Sequence, residues 1–306
     1  MARTRVGFDS AGIEIAAHLY IPDSPVVGRR PALVVGHPGT GVKEQTSGTY
    51  AQLMAERGFV TLAFDAAHQG ESGGLPRGLE DPARRVEDFK AAVSYLTTRD
   101  EVDPGRVGLL GICASGGYSL AATGGDHRVK AVATVCTAEP ARQFRFGADG
   151  SQDPAVFQAL LDAAAQARTR AARGEDPGVL TMFPGTAQEA GAVGGEHGIE
   201  GWEYYCGARG YHERSAKFLT WDSVDKMASS DVFRAVPLIG PRPVLQIIGE
   251  RAVTAWMAIE AHQAVTGPKE LHRIPGASHV DLYDKREYID QAIDKLTDYF
   301  TTHLDK

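Results

Sequence analysis

GLLGICASGGYSL, residues 108–120, holds two overlapping copies of one pattern. Gly111-Ile112-Cys113-Ala114-Ser115 reads as a nucleophile elbow with cysteine at its apex, and Cys113-Ala114-Ser115-Gly116-Gly117 as the same elbow with serine. Such an elbow is a sharp strand-to-helix turn, and small residues flank the apex because the turn crowds neighbouring chain together. The N–H after the apex sits at the positive end of the new helix, facing a developing oxyanion. Here the apolar, strand-length run RVGLLGI (106–112) comes first and a helix-like stretch follows, which gives the motif its context. Cys113 at the apex ends the strand at Ile112. Ser115 at the apex would lengthen the strand by two residues and place Ile112-Cys113 before the turn. On the residues alone both registers stay open; with Cys113 at the apex, Ser115 is the small neighbour whose hydroxyl helps cap the helix. The competing reading of Cys113 is a buried structural thiol.

Working outward, buried-strand patterns alternate with helical ones. TRVGFDSAGIEIAAHLYIP reads as two strands around Ser10-Ala11-Gly12, and PALVVGH (31–37), FVTLAFD (59–65) and VKAVATVC (129–136) as short apolar strands. Lys43 to Arg57 has helical spacing. Residues 81–98 form a helix with Asp81 as N-cap, Pro82 at its first position and an apolar stripe through Val86, Phe89, Ala92, Val93 and Leu96. This rhythm predicts a parallel sheet covered on both faces. From Thr137 to about Gly240 no clear buried strand occurs. A helix is expected over 154–172, followed by a stretch rich in glycine and aromatics. Strand and helix patterns then return at PVLQIIG (243–249), Thr254 to Val265, KELHRIP (269–275) and Lys285 to His303. A break of about a hundred residues is long for a loop and is expected to form a lid.

Bulk properties exclude several classes. In 306 residues, 43% are hydrophobic and the formal net charge is −7, so the chain is expected to be globular, without the basic excess that tracks a phosphate backbone. Runs such as Pro31 to Val35 are too short to cross a bilayer, and MARTRVGFDS lacks the apolar segment of a secretory signal. Three cysteines, Cys113, Cys136 and Cys206, cannot all pair and are not clustered as metal ligands. The expected location is the cytoplasm, with reduced thiols. The expected partner is a small-molecule substrate, with neither nucleic acid nor membrane. A homodimer is compatible with the chain.

Several motifs together resemble the α/β-hydrolase superfamily. His37-Pro38-Gly39-Thr40-Gly41 takes the place of its oxyanion loop. Asp65-Ala66-Ala67-His68-Gln69-Gly70-Glu71-Ser72 is similar to its D-x-x-G-x-G-x-S turn, with His68 replacing a glycine. Gly276-Ala277-Ser278-His279 resembles the loop that carries its histidine. The cysteine apex is similar to that of dienelactone hydrolases. HPGTGVKEQTSGTYA, GICASGGY and GASHVDLYD resemble YcjY-like bacterial hydrolases along nearly the whole chain, least over 140–200. The resemblance implies an α/β-hydrolase core over 1–138 and 241–306, mostly parallel with helices on both faces, and a helical cap over 139–240. It implies attack by Cys113 on an ester, lactone or thioester of a small apolar or aromatic acid, with His279 as base. A helix N-terminus and an imidazole can lower a thiol's pKa below its ordinary value of about 8.5.

The N–H groups of Ala114 and Gly39 are the expected oxyanion donors, since Pro38 has none. The family's usual acid position, three residues past the strand-ending glycine, holds Ala252. Glu250 in the same loop is the first candidate to orient His279 and Glu139 the second; Asp281 lies near in sequence. His37 is expected to order its loop. Ser115, His68, Trp202, Tyr204 and Tyr205 are candidates to line the substrate pocket, against the reading that the cap aromatics form the cap's own core. No metal or organic cofactor is implied. Two other functions stay open: a non-hydrolytic enzyme of this fold (cyclase, isomerase or carbon–carbon cleavage) and a ligand-binding protein that has lost its acid.

Overall fold

A computed structural model describes residues 1–23 and 28–304. The chain opens with β1 (Ala2–Ser10) and β2 (Ile13–Ile21), antiparallel around a turn in which Ala11 and Gly12 both have positive φ. Next come β3 (Arg30–Gly36), α1 (Thr46–Glu56), β4 (Val60–Phe64), α2 (Pro82–Thr97), β5 (Val102–Ile112), α3 (Ala114–Gly125) and β6 (Val129–Val135). β9 (Val244–Gly249), α8 (Ala255–Ala264), β10 (Lys269–Ile274), the short α9 (Asp281–Asp284) and α10 (Arg286–Leu304) complete the core. The eight strands lie in the order β1-β2-β4-β3-β5-β6-β9-β10, parallel from β4 to β10.

The apolar strand sequences follow from that arrangement, because successive side chains serve opposite faces. Val34 and Leu109 pack with α2 and α3 on one face, whereas Leu33, Val35 and Leu110 pack with α1 and α10 on the other. Helix starts follow local chemistry. Asp81 accepts from the N–H groups of Ala83 and Arg84, and Pro82 occupies the first turn, where its missing N–H costs nothing.

Between β6 and β9 the chain forms α4 (Pro140–Phe146), α5 (Pro154–Ala172), β7 (Val179–Thr181), α6 (Ala187–Tyr205), β8 (Phe218–Thr220) and α7 (Asp222–Ala228). β7 and β8 pair as a separate two-stranded sheet of three residues each, too short to show as apolar runs. The segment ends in a 3₁₀ stretch, Val232–Ile239, whose Val232, Phe233, Val236 and Ile239 join the apolar layer around α3. The sequence-based boundary at 240 thus falls after residues that pack with the core. Among the described residues no helix is long and apolar enough to cross a membrane.

Candidate active site

β5 ends at Ile112 and α3 begins at Ala114, leaving Cys113 alone at the turn with φ 54° and ψ −119°. A non-glycine residue is rarely held there. The flanking small residues have a steric cause. A Cβ on Gly111 would lie 2.1 Å from the Ser115 carbonyl oxygen and 2.3 Å from Ser119 Oγ, and one on Gly116 would lie 2.9 Å from Thr137 Cα. Backbone bonds from Cys113 N to Val135 O (3.0 Å) and from Ala138 N to Cys113 O (2.9 Å) tie the turn to the end of β6.

Cys113 lines a cavity of about 510 Å³ that also contains His279, Gly39 and Ala114. Burial pushes its thiol pKa up, opposed by the Tyr283 hydroxyl, the N–H groups of Ala114 and Gly39 and, more weakly, the Arg85 guanidinium. A lowered thiol pKa is therefore not what the structure shows, because desolvation outweighs the favourable dipoles. Ser115 is elsewhere. Its hydroxyl donates to His37 O (2.5 Å) and accepts from Arg85 Nη2 (3.0 Å), outside the cavity lining. Ser115 is thus turned towards the loop after β3, and no hydrogen bond from an α3 N–H to its hydroxyl occurs among the described residues.

His279 follows β10 and is buried, with its imidazole between two hydroxyl groups. Thr254 Oγ1 meets Nδ1, and the Tyr283 hydroxyl lies 2.9 Å from Nε2. Burial, reinforced by neighbouring His197 at 5.1 Å between ring centroids, holds the imidazole pKa well below its ordinary value.

None of the anticipated acids bonds to His279. Glu250 is exposed and accepts from Gly276 N at 3.2 Å, which turns it away from the ring. Glu139 is buried, but Oε2 caps α4 by accepting from Arg142 N at 2.6 Å. Asp281 accepts from Ser278 N and pairs with Lys285 at 2.7 Å. Thr254, two residues past the expected acid position at Ala252, takes that place instead.

The loop after β3 is built from within. His37 is fully buried; its Nε2 accepts from Ala66 N (3.0 Å) and its Nδ1 lies 2.6 Å from Pro38 O. Arg85, reaching from α2, donates to His37 O at 2.9 Å and lies over the Tyr118 ring. The Tyr205 hydroxyl donates to Gly39 O at 3.2 Å, and Ser215 Oγ donates to Thr40 O at 2.9 Å.

Of the candidate pocket aromatics, only Tyr205 lines the cavity. Tyr204 is buried in the core face with α1, its hydroxyl accepting from Thr46 N at 3.0 Å. Trp202 is held by its indole N–H on Pro184 O (2.9 Å), and His68 sits in its turn at φ 69° with Nδ1 3.1 Å from Pro76 O. Neither belongs to the lining, because local backbone partners hold both side chains. The wall is instead made by Phe144, Met182, Phe183, Leu219, Met227 and Val280 among others, with Glu80 and His197 as polar members. Volume and lining suit a small organic ligand. Thr254, Tyr283, Glu80 and His197 escaped the sequence reading; the four-residue spacing of His279 and Tyr283 was the one available signal.

An eight-stranded, mostly parallel sheet with a strained apex residue beside a histidine loop defines an α/β hydrolase. The family model described as X-Pro dipeptidyl-peptidase (S15 family) matches residues 11–189, and the chain belongs to this family of α/β hydrolases. It is 35% identical over 309 residues to YcjY of Escherichia coli (strain K12), covering 99% of this chain and 100% of that one. The crystal structure of hypothetical protein PA2218 from Pseudomonas aeruginosa superposes with a TM-score of 0.88 at 37% identity, covering 99% of this chain and 94% of that one. A thiohydrolase, apmlB, from Arthrinium phaeospermum is 32% identical over 233 residues, which cover 74% of this chain and 73% of that one.

Proposed function

We propose that the protein hydrolyses acyl thioesters through a covalent acyl-Cys113 intermediate. The observation that carries this reading is Cys113 itself, strained at the apex, facing the amides of Ala114 and Gly39 and opening on an apolar cavity shared with His279. The relative named a thiohydrolase points the same way. Chemistry favours it too, because a thiol exchanges acyl groups readily with another thiolate leaving group, whereas an ester must expel a more basic alkoxide.

The Tyr283 hydroxyl lies close to both the thiol and Nε2, and burial keeps its own pKa well above the ordinary value, so it remains a donor. With the ring proton on Nδ1 facing Thr254, Nε2 is the base. Sγ gives its proton to the Tyr283 oxygen as Tyr283 gives its own to Nε2. The thiolate attacks the carbonyl carbon, and the N–H groups of Gly39 and Ala114 hold the resulting oxyanion. Collapse breaks the bond to the departing sulfur, which takes the proton back from His279. Water then repeats the sequence: its proton passes to Nε2, its oxygen bonds the acyl carbon, and the Cys113 bond breaks to release the acid and regenerate the thiol.

Release of free thiol from medium-chain acyl N-acetylcysteamine thioesters tests the reading, with mass spectrometry of the stalled enzyme. An acyl adduct on Cys113, and loss of turnover in Cys113→Ala but not in Ser115→Ala, are the expected results. Thr254→Val should lower kcat about tenfold or more at little change in KM, because the ring loses the bond that fixes its tautomer. Turnover surviving in Cys113→Ala, or an adduct on Ser115, would sink the assignment.

A further inference from the structure

The cavity wall contains one carboxyl group that the reaction above does not use. Glu80 stands in the loop before α2 and is 2% exposed. Its N–H donates to Ser223 Oγ (2.9 Å), and its Oε1 accepts from the Tyr118 hydroxyl of α3 (2.7 Å), so backbone and carboxyl are both fixed. Its Oε2 is buried and has no hydrogen-bond partner in the protein. Buried acceptors are ordinarily paired, and leaving one unpaired costs stability. Among the described residues Glu80 is the carboxylate with such an acceptor that also lines the otherwise largely apolar cavity beside Cys113.

We infer that Glu80 selects the acyl group: the chain carried on Cys113 bears a hydroxyl that donates to Glu80 Oε2. This rests on the acyl-hydrolase reading and narrows its substrate class to hydroxylated, otherwise apolar acyl groups. Charge balance points to a neutral donor and not to an ammonium. Arg85 Nε lies 3.7 Å from Oε1, so the carboxyl already has a cation beside it. The apolar lining accepts the hydrocarbon of the same chain, while the fixed carboxyl rewards a hydroxyl at one position along it. Sites built around a hydrogen bond to a substrate hydroxyl discriminate strongly against analogues that lack it.

The test compares the octanoyl N-acetylcysteamine thioester with its monohydroxylated and monoketo isomers. At least one hydroxylated isomer should exceed the plain chain about tenfold in kcat/KM. Glu80→Leu should abolish that ratio. Glu80→Gln keeps the acceptor for Tyr118 and puts an NH₂ donor in place of Oε2, so preference should move from the hydroxy to the matching keto isomer, an effect that mere loosening of the fold would not give. Absence of any hydroxylated isomer above the plain chain, or a ratio that survives both substitutions, overturns the inference. If no thioester is turned over, the acyl-hydrolase reading fails separately. Calorimetry of octanoic and hydroxyoctanoic acids with the unmodified protein then decides: tighter hydroxy acid supports Glu80 as the selecting residue, and equal binding overturns it.

Discussion

At the residue scale the site departs from a pre-formed thiolate–imidazolium pair. Burial raises the Cys113 pKa and lowers that of His279, so both resting groups are neutral near pH 7. The sign follows directly: a raised thiol pKa means less thiolate at every pH, and a depressed imidazole pKa means that the base stays competent below its ordinary value of about 6.5. Alkylation of Cys113 by iodoacetamide should therefore climb through pH 9 with no reactive plateau between pH 5 and 7, measured by mass spectrometry of the modified peptide. A fast acid plateau would show that the ion pair exists after all. The same residues mark how far the sequence was legible. Cys113 and His279 stand out because backbone motifs announce them. Thr254 does not, because a hydroxyl serves where a carboxylate was expected and threonine is common in loops. Tyr283 lies within GASHVDLYD and Glu80 beside the Asp81-Pro82 helix start, but those motifs announce the histidine and the helix and assign no role to either side chain.

At the scale of elements, legibility tracked capping and periodicity. α2 reads directly from Asp81-Pro82, residues that fix a helix start by local chemistry alone, and α5, expected over 154–172, proves to start in the same way at Asp153-Pro154. α6 did not, because its glycines dilute any apolar stripe and Gly195, at φ 58° and ψ −146°, breaks the helix in the middle. Its start does have a capping box, Thr186 with Glu189, lost among those weak signals. The elbow between β5 and α3 depends on the opposite use of glycine, as bare space. Gly111→Ala places a methyl against the Ser115 carbonyl, which is backbone and cannot swing aside. The expected result is destabilisation by about 3 kcal/mol, at the upper end of overpacking costs, with loss of activity as the apex shifts. Thermal unfolding beside a turnover assay checks both, and an unchanged Tm would mean that the turn has slack the packing does not show.

For the molecule as a whole, the segment between β6 and β9 divides by how it is fastened. Its later part is bonded to the loops that make the site. Thr46 N donates to the Tyr204 hydroxyl, the Tyr205 hydroxyl to Gly39 O, Gln45 Nε2 to Gly210 O, and Arg209 pairs with Asp284 at 2.7 Å. In its earlier part α4 is tied to α8 through Arg142 and Glu260, but α5 is fastened more loosely. α5 buries Phe157, Ala164 and Ala167 and leaves most of its remaining side chains exposed or half-exposed. Local opening should follow that difference, since it starts where few apolar contacts and many solvated backbone bonds meet. Amide hydrogen exchange should show residues 154–176 opening well before 204–215, with the latter protected in step with the loop at 37–41. Tyr205→Phe removes one fastening bond and should raise exchange at 37–41 and at 204–210 together, while 154–176 is unaffected. The shared response matters for function, because the loop that supplies the Gly39 amide would then be ordered by the same residues that wall the cavity. Equal exchange across 154–215, or a Tyr205→Phe effect confined to one side, would mean that the segment is a single unit whose docking does not order the loop.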